Sequence, residues 1–175
     1  NLTVTTGTGA TSGRYDINVT QLARAGSVAS ESVAMGTVLA TEATGLTLNF
    51  GATYADGVLQ TGAEPLRSYT VSIAAGSTLA NIRDQINADQ NAGVTASIVN
   101  DGTGFRLALS SKESGAIASV TGFSGIAGLA ADETTYRAGT NAALDVNGIT
   151  ITSATNQIEG AIQGVSLDIL SLIHI

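Results

Sequence analysis

From Ser77 to Ser111 the chain carries a segment that leaves few folds open to it. Leu79, Ile82 and Ile86 recur at spacings of three and four, which places them on one stripe of a helix spanning 78–89. Ser77 or Thr78 supplies the N-cap, because a hydroxyl oxygen accepts from the free N–H groups of a first helical turn. Gly93 lies just past the polar end, where it helps stop the helix. Val94, Ala96 and Ile98 then alternate, and the run from Asn100 to Gly104 gives a turn. Phe105, Leu107 and Leu109 face one way on the return strand. A capped helix followed at once by a hairpin, with one apolar face in common, is a packed module.

The rest of the chain reads as strands. Tyr15, Ile17 and Val19 alternate and fall on one face, and Gln21–Ala25 continues that strand or makes a turn of helix. Leu46–Phe50 and Tyr69–Ile73 alternate in the same way. Two further alternating runs, 143–146 and 149–152, flank Asn147-Gly148, the strongest short hairpin signal because both turn positions need positive φ. Val165–Ile169 closes the series, and Ile117–Thr121 adds a further strand. Asn1–Gly13 is Thr- and Gly-rich, Ala34–Thr44 is a crossing between units, and Gly122–Gly139 is loop-like with a short helix around Ile126–Ala131. The fold class is mainly β with one short helix (α+β), in two small β-rich domains.

Composition narrows the chemistry. Hydrophobic residues are 43% of the 175, yet aromatics are 4% and Trp is absent, so the core is aliphatic and suits thin β-layers better than a deep pocket. Charged residues are 12%, which leaves Thr, Ser, Asn and Gln to solvate the surface. A net charge of −7 opposes a phosphate backbone, so nucleic acid is not an expected partner. With no Cys there is neither disulfide nor thiolate metal site. No apolar run approaches the roughly 20 residues of a membrane span, and no signal peptide is visible.

The chemical motifs dissolve on inspection. Gly7–Gly13 mimics a nucleotide loop but lacks the strand before it and the helix after it. Asn100–Gly104 and Asp145–Gly148 resemble pieces of calcium loops without the downstream bidentate Glu. The sequons at Asn1 and Asn18 are short, and Asn18 lies mid-strand. A nucleophilic triad needs a base, and the one His, His174, sits in an apolar tail outside the pattern. Asp56, Glu64, Asp132 and Glu133 could in principle pair for glycoside cleavage, but all four lie in polar stretches where carboxylates are ordinarily solvated. No catalytic, cofactor-binding or metal residue is assigned, and the chain is not expected to be an enzyme.

The segment from Ser77 to Ser111 resembles the insertion motif that recurs in bacterial flagellar axial proteins, most closely in the filament-cap family, hook-associated protein 2. Gly13–Ala25 and Ala143–Leu170 are similar to two further stretches of that family, in the same order. The family's long terminal helices have no counterpart here, nor does Thr37–Arg67, and Ser171–Ile175 departs from the pattern. The chain, which has no Met at its start, reads as a fragment. The resemblance implies a head region with one domain, 37–137, inserted in a discontinuous one, 1–36 and 138–175. A physical argument runs the same way, since the strand at Tyr15 and the hairpin at Asn147 each lack partners alone. The resemblance further implies an extracellular cap at the flagellar tip, exported through the flagellar channel. Its partners would be flagellin subunits and other copies of itself, with host glycans added in adhesive members. The alternatives are the outer variable domain of a flagellin or other hook-associated protein, and a glycan-binding module. For the latter Tyr54 and Tyr136, in loops, are the candidate glycan contacts, whereas Tyr15 and Tyr69 look core-facing.

Overall fold

The computed structural model describes residues 2–51, 54–55, 58–59 and 65–171, with 54–55 and 58–59 by their backbone alone. The fold is mostly β, with a single helix among the described residues. The chain divides into two compact units, one built from Asn1–Arg24 and Thr140–Ile175, the other from Ala25–Gly139.

The chain opens with β1 (Leu2–Thr6) and β2 (Ile17–Gln21) of the discontinuous unit. The inserted unit follows with β3 (Ala25–Ser30), β4 (Val38–Ala40), β5 (Thr44–Phe50), β6 (Tyr54–Ala55), β7 (Val58–Leu59), β8 (Arg67–Ile73) and β9 (Ser77–Thr78). Its helix α1 (Leu79–Ala88) leads to β10 (Val94–Asn100), β11 (Phe105–Ser114), β12 (Val120–Ser124) and β13 (Ala131–Arg137). The discontinuous unit then resumes with β14 (Ala142–Val146), β15 (Ile149–Ser153), β16 (Gln157–Ile162) and β17 (Val165–Ile169).

In the discontinuous unit two antiparallel three-stranded sheets, ordered β1-β17-β16 and β15-β14-β2, enclose Val19, Leu144, Val146, Ile158, Leu167 and Ile169. Asn147 (φ 50) and Gly148 (φ 83) form the tight turn between β14 and β15. Asn147 also anchors the approach to β2, since its Oδ1 accepts from the Asp16 N–H at 2.9 Å and its own N–H donates to the Asp16 carbonyl at 2.9 Å. Asn156 does the same at the far end, accepting from the Ala23 N–H at 2.7 Å and donating to the Ala23 carbonyl at 3.0 Å. The chain leaves this unit at Arg24 and returns at Thr140, and those two residues exchange backbone hydrogen bonds of 2.9 and 3.0 Å.

In the inserted unit a four-stranded sheet, β10-β11-β3-β13, and a three-stranded one, β12-β5-β8, share a core with α1. Leu79, Ile82 and Ile86 are fully buried against Leu46, Leu48, Phe50, Leu107 and Leu109. Each such side chain contributes roughly 1.5–3 kcal/mol by leaving water, so the stripe read from the spacing is what fixes the helix in place.

Several expectations need correction. The first boundary lies at Arg24/Ala25, not 36/37, because β3 is an internal strand of the inserted unit, paired with both β11 and β13. The second lies at Gly139/Thr140 instead of 137/138. Tyr15 is not core-facing: it is 37% exposed, precedes β2, and lines a groove of about 540 Å³ beside Val4, Ile17 and Leu167. No helix forms at 126–131, where the Leu129 N–H to Ile126 carbonyl bond (3.2 Å) closes only one turn. Residues 131–137, expected as loop, form β13, and Gln157–Ile162 forms a strand, β16, that the sequence reading did not contain.

Candidate functional surface

The helix–hairpin module is held by side-chain amides placed one by one along α1. Asn81 Oδ1 accepts from the Thr78 N–H at 3.1 Å and from the Thr78 hydroxyl at 2.9 Å, which closes the first turn. Gln85 accepts from the Ala74 N–H at 2.7 Å and donates to Ser77 Oγ at 2.9 Å and to the Asn81 carbonyl at 3.0 Å. Asn87 makes a two-way contact with β10: its Nδ2 donates to the Ala96 carbonyl and its Oδ1 accepts from the Ala96 N–H, each at 2.8 Å. β10 is the edge of its sheet, so Asn87 occupies backbone groups that another strand would otherwise take.

The hairpin tip is organised by Asp101. One carboxylate oxygen accepts from the N–H groups of Thr103 and Gly104, each at 2.9 Å, and from the Thr103 hydroxyl at 2.7 Å. The other accepts from Arg106 Nε at 2.6 Å. Arg106 Nη1 reaches on to Asp132 Oδ2 at 2.6 Å and the Ser30 carbonyl at 3.0 Å, tying the tip to β3 and β13. The Arg106 guanidinium and the Thr103 donors hold the Asp101 carboxyl well below the usual carboxylate range. The Thr134 hydroxyl first, and Arg106 second, lower that of Asp132. The same two carboxylates raise Arg106.

These shifts bear on chemistry. A general acid needs a carboxyl pushed up toward neutrality, and both of these are pushed the other way. Asp132, read from the sequence as a solvated loop carboxylate, lies in β13 with its side chain only 12% exposed and ion-paired. Glu133 is exposed, and Asp56, Glu64 and His174 lie outside the described residues. Among the described residues no group of three or more acidic or His side chains is placed to hold a metal ion. No described helix is long and apolar enough to cross a membrane.

Of the two tyrosines considered for glycans, Tyr136 is in β13 and not in a loop, because β13 pairs along β3. It is half buried against the core, and its hydroxyl is 3.2 Å from Ser119 Oγ. The Tyr54 side chain lies outside the described residues, and its backbone pairs with Leu59. Tyr69 packs against the core, and its hydroxyl donates to Asp89 at 3.0 Å, which raises its pKa. The Asp101–Arg106–Asp132 bridge was missed in sequence. Its one local signal is an Asp and an Arg flanking a Gly-rich turn.

Beside the module, one face of the β5–β8 ladder is polar and uncharged from Thr47 to Asn49 and from Ser68 to Thr70. Along the β5–β8 ladder Thr47 and Thr70 meet at 3.0 Å, and Ser68 donates to Asn49 at 2.8 Å. Such a surface can pack against another protein without desolvating charge.

Known proteins are similar to this chain in sequence and fold. Residues 46–113, from β5 through the helix and hairpin, match the family described as the Flagellin hook IN motif. Over 90% of its length the chain is 34% identical to the A-type flagellar hook-associated protein 2 of Pseudomonas aeruginosa. It spans 35% of that relative, about a third of the length of the curated proteins it matches. The solved D2-D3 domains of the flagellar cap protein FliD from Escherichia coli superpose on 98% of the chain with a TM-score of 0.77 at 29% identity, and 89% of that structure is covered. FliD (HAP2) from Pseudomonas aeruginosa PAO1 superposes on 98% with a TM-score of 0.73 at 26% identity, with 79% of that structure covered. Across the helix, the hairpin and both halves of the discontinuous unit the chain is similar in sequence to flagellar hook-associated protein 2, and in fold to the D2-D3 domains of the flagellar cap protein.

Proposed function

We propose that this chain is the exposed head of a flagellar filament cap, a non-catalytic assembly element at the filament tip. The observation that carries the reading is the extent of the likeness. The insertion motif alone covers 46–113 and is shared among axial proteins, but the superposition on cap-protein domains takes in 98% of the chain, both units included. A flagellin outer domain would account for the motif and not for the discontinuous unit around it. In this role the protein is extracellular, leaves the cell through the flagellar channel, and works with flagellin subunits and other copies of itself.

The geometry accords with guidance by surface contact. The amide clamps and the Arg106 bridge hold the module together, and the neighbouring β5–β8 ladder carries hydroxyls outward. Deleting the full-length gene should stop filament growth and release flagellin monomers into the medium, and restoring the gene should reverse both. Normal filaments in the deletion strain would refute the reading.

A further inference from the structure

One cleft in the inserted unit, about 340 Å³, gathers positive charge in a chain whose net charge is −7. Arg67, Lys112, Gln90, Asn91 and Ile117 line it, with Glu113 as its one described carboxylate. The guanidinium of Arg67 is not loose. Arg67 is the cross-strand neighbour of Phe50, and its Cζ sits 4.3 Å from the centre of that ring. Gly93 leaves the space beside it open, since a Cβ there would stand 3.4 Å from Arg67 Nη2. Lys112 is fixed at the backbone by its N–H bond to the Gly93 carbonyl, 3.0 Å.

Arg14, Arg83 and Arg106 each meet a carboxylate, whereas among the described residues none lies within salt-bridge distance of Arg67 or Lys112, nor, outside the cleft, of Arg24 or Arg137. Ile117, at the rim, is 73% exposed, the largest exposure among the described large apolar side chains. Two cations against the single Glu113 carboxylate, with two amides and one bare apolar side chain, form a surface for a carboxylate with a hydrophobic neighbour. A sugar acid would call for an exposed aromatic face to stack on, and the one ring here, Phe50, is fully buried with Arg67 over it.

We propose that this cleft takes the acidic side chain of an acidic–apolar segment presented by a protein partner, with the carboxylate between Arg67 and Lys112 and the apolar side chain on Ile117. The inference rests on the cleft itself and does not depend on the cap reading.

The test is a titration of the isotope-labelled chain with acetyl-Glu-Leu-amide, followed through backbone amide signals. Saturable shifts at Gly93, Lys112, Glu113, Ile117 and Ala118 are expected, with acetyl-Gln-Leu-amide about two- to fivefold weaker, the scale of one exposed charge contact. The double variant Arg67→Met, Lys112→Met should lose the response with its remaining signals in place. The charge-keeping pair Arg67→Lys, Lys112→Arg should retain it, which separates lost recognition from lost folding. Equal response to the acid and the amide, shifts elsewhere, or stronger binding of N-acetylneuraminic acid than of the peptide would each overturn the proposal.

Discussion

Replacing Asn87 by Ala tests whether the helix is locked to the hairpin by hydrogen bonding as well as by its apolar stripe. The substitution removes two bonds of 2.8 Å, to the N–H and the carbonyl of Ala96, and leaves Leu79, Ile82 and Ile86 untouched. Each bond is worth about 0.5–1.5 kcal/mol net, so the pair sums to about 1–3 kcal/mol. The Asn87 side chain is exposed on its outer side, so water can replace part of what is lost, and about 1–2 kcal/mol is the expected loss. Ala96 itself is 4% exposed, which keeps the loss from vanishing. Asn87→Asp should cost at least as much, because it keeps the acceptor for the Ala96 N–H but sets a carboxylate against the Ala96 carbonyl. Urea unfolding followed by far-UV circular dichroism measures both, with the slope checked for constancy. A change below about 0.5 kcal/mol, the range of ordinary surface substitutions, would show that the clamp contributes nothing. Freed edge groups on β10 should also make the Ala variant self-associate with rising concentration, visible by sedimentation.

Acid should weaken the inserted unit in a defined window. Asp101 and Asp132 have folded-state pKa values below the unfolded value of about 3.9, so their stabilisation is present above that pH and is lost as pH falls through the lower folded values. Urea midpoints measured from neutrality down to about pH 3 should fall more steeply for the natural chain than for Asp132→Asn, and parallel profiles would refute the assignment. A piece comprising Ala25–Gly139 should fold alone with a cooperative melt, since both its sheets and its helix close on one core; a disordered product would contradict that division. The isolated chain should be monomeric or weakly associated by analytical ultracentrifugation, with a dominant ring-sized species as the contrary result.

Which parts were legible in sequence follows from where the apolar residues fall. The helix, the Asn100–Gly104 hairpin and the Asn147-Gly148 turn were readable because burial there follows one period per element and the turn residues have their own backbone demands. β13 was not, because its Ala-Asp-Glu-Thr-Thr-Tyr-Arg sequence has no alternation. Thr135 and Asp132 hold it instead, the Thr135 hydroxyl accepting from the Ala29 N–H at 2.8 Å. β3 was unreadable for a related reason: Ala25–Ser30 is small throughout, and it is strand because β11 and β13 flank it. That miss moved the expected domain boundary by the whole of β3 and the six residues after it. Tyr15 looked core-facing by alternation with Ile17 and Val19, but alternation holds only inside the strand, and β2 begins at Ile17. The Asp101 arm of the ion bridge leaves a local trace around its turn, but the arm from Arg106 to Asp132 spans 26 residues and leaves none.

The central claim, a cap head and not a flagellin domain, is tested most directly by position on the filament. A small epitope placed at the exposed hairpin tip, Gly102–Thr103, in the full-length protein, detected by gold-labelled antibody in electron micrographs, should mark only the distal end of each filament. Label distributed along the filament shaft would contradict the account.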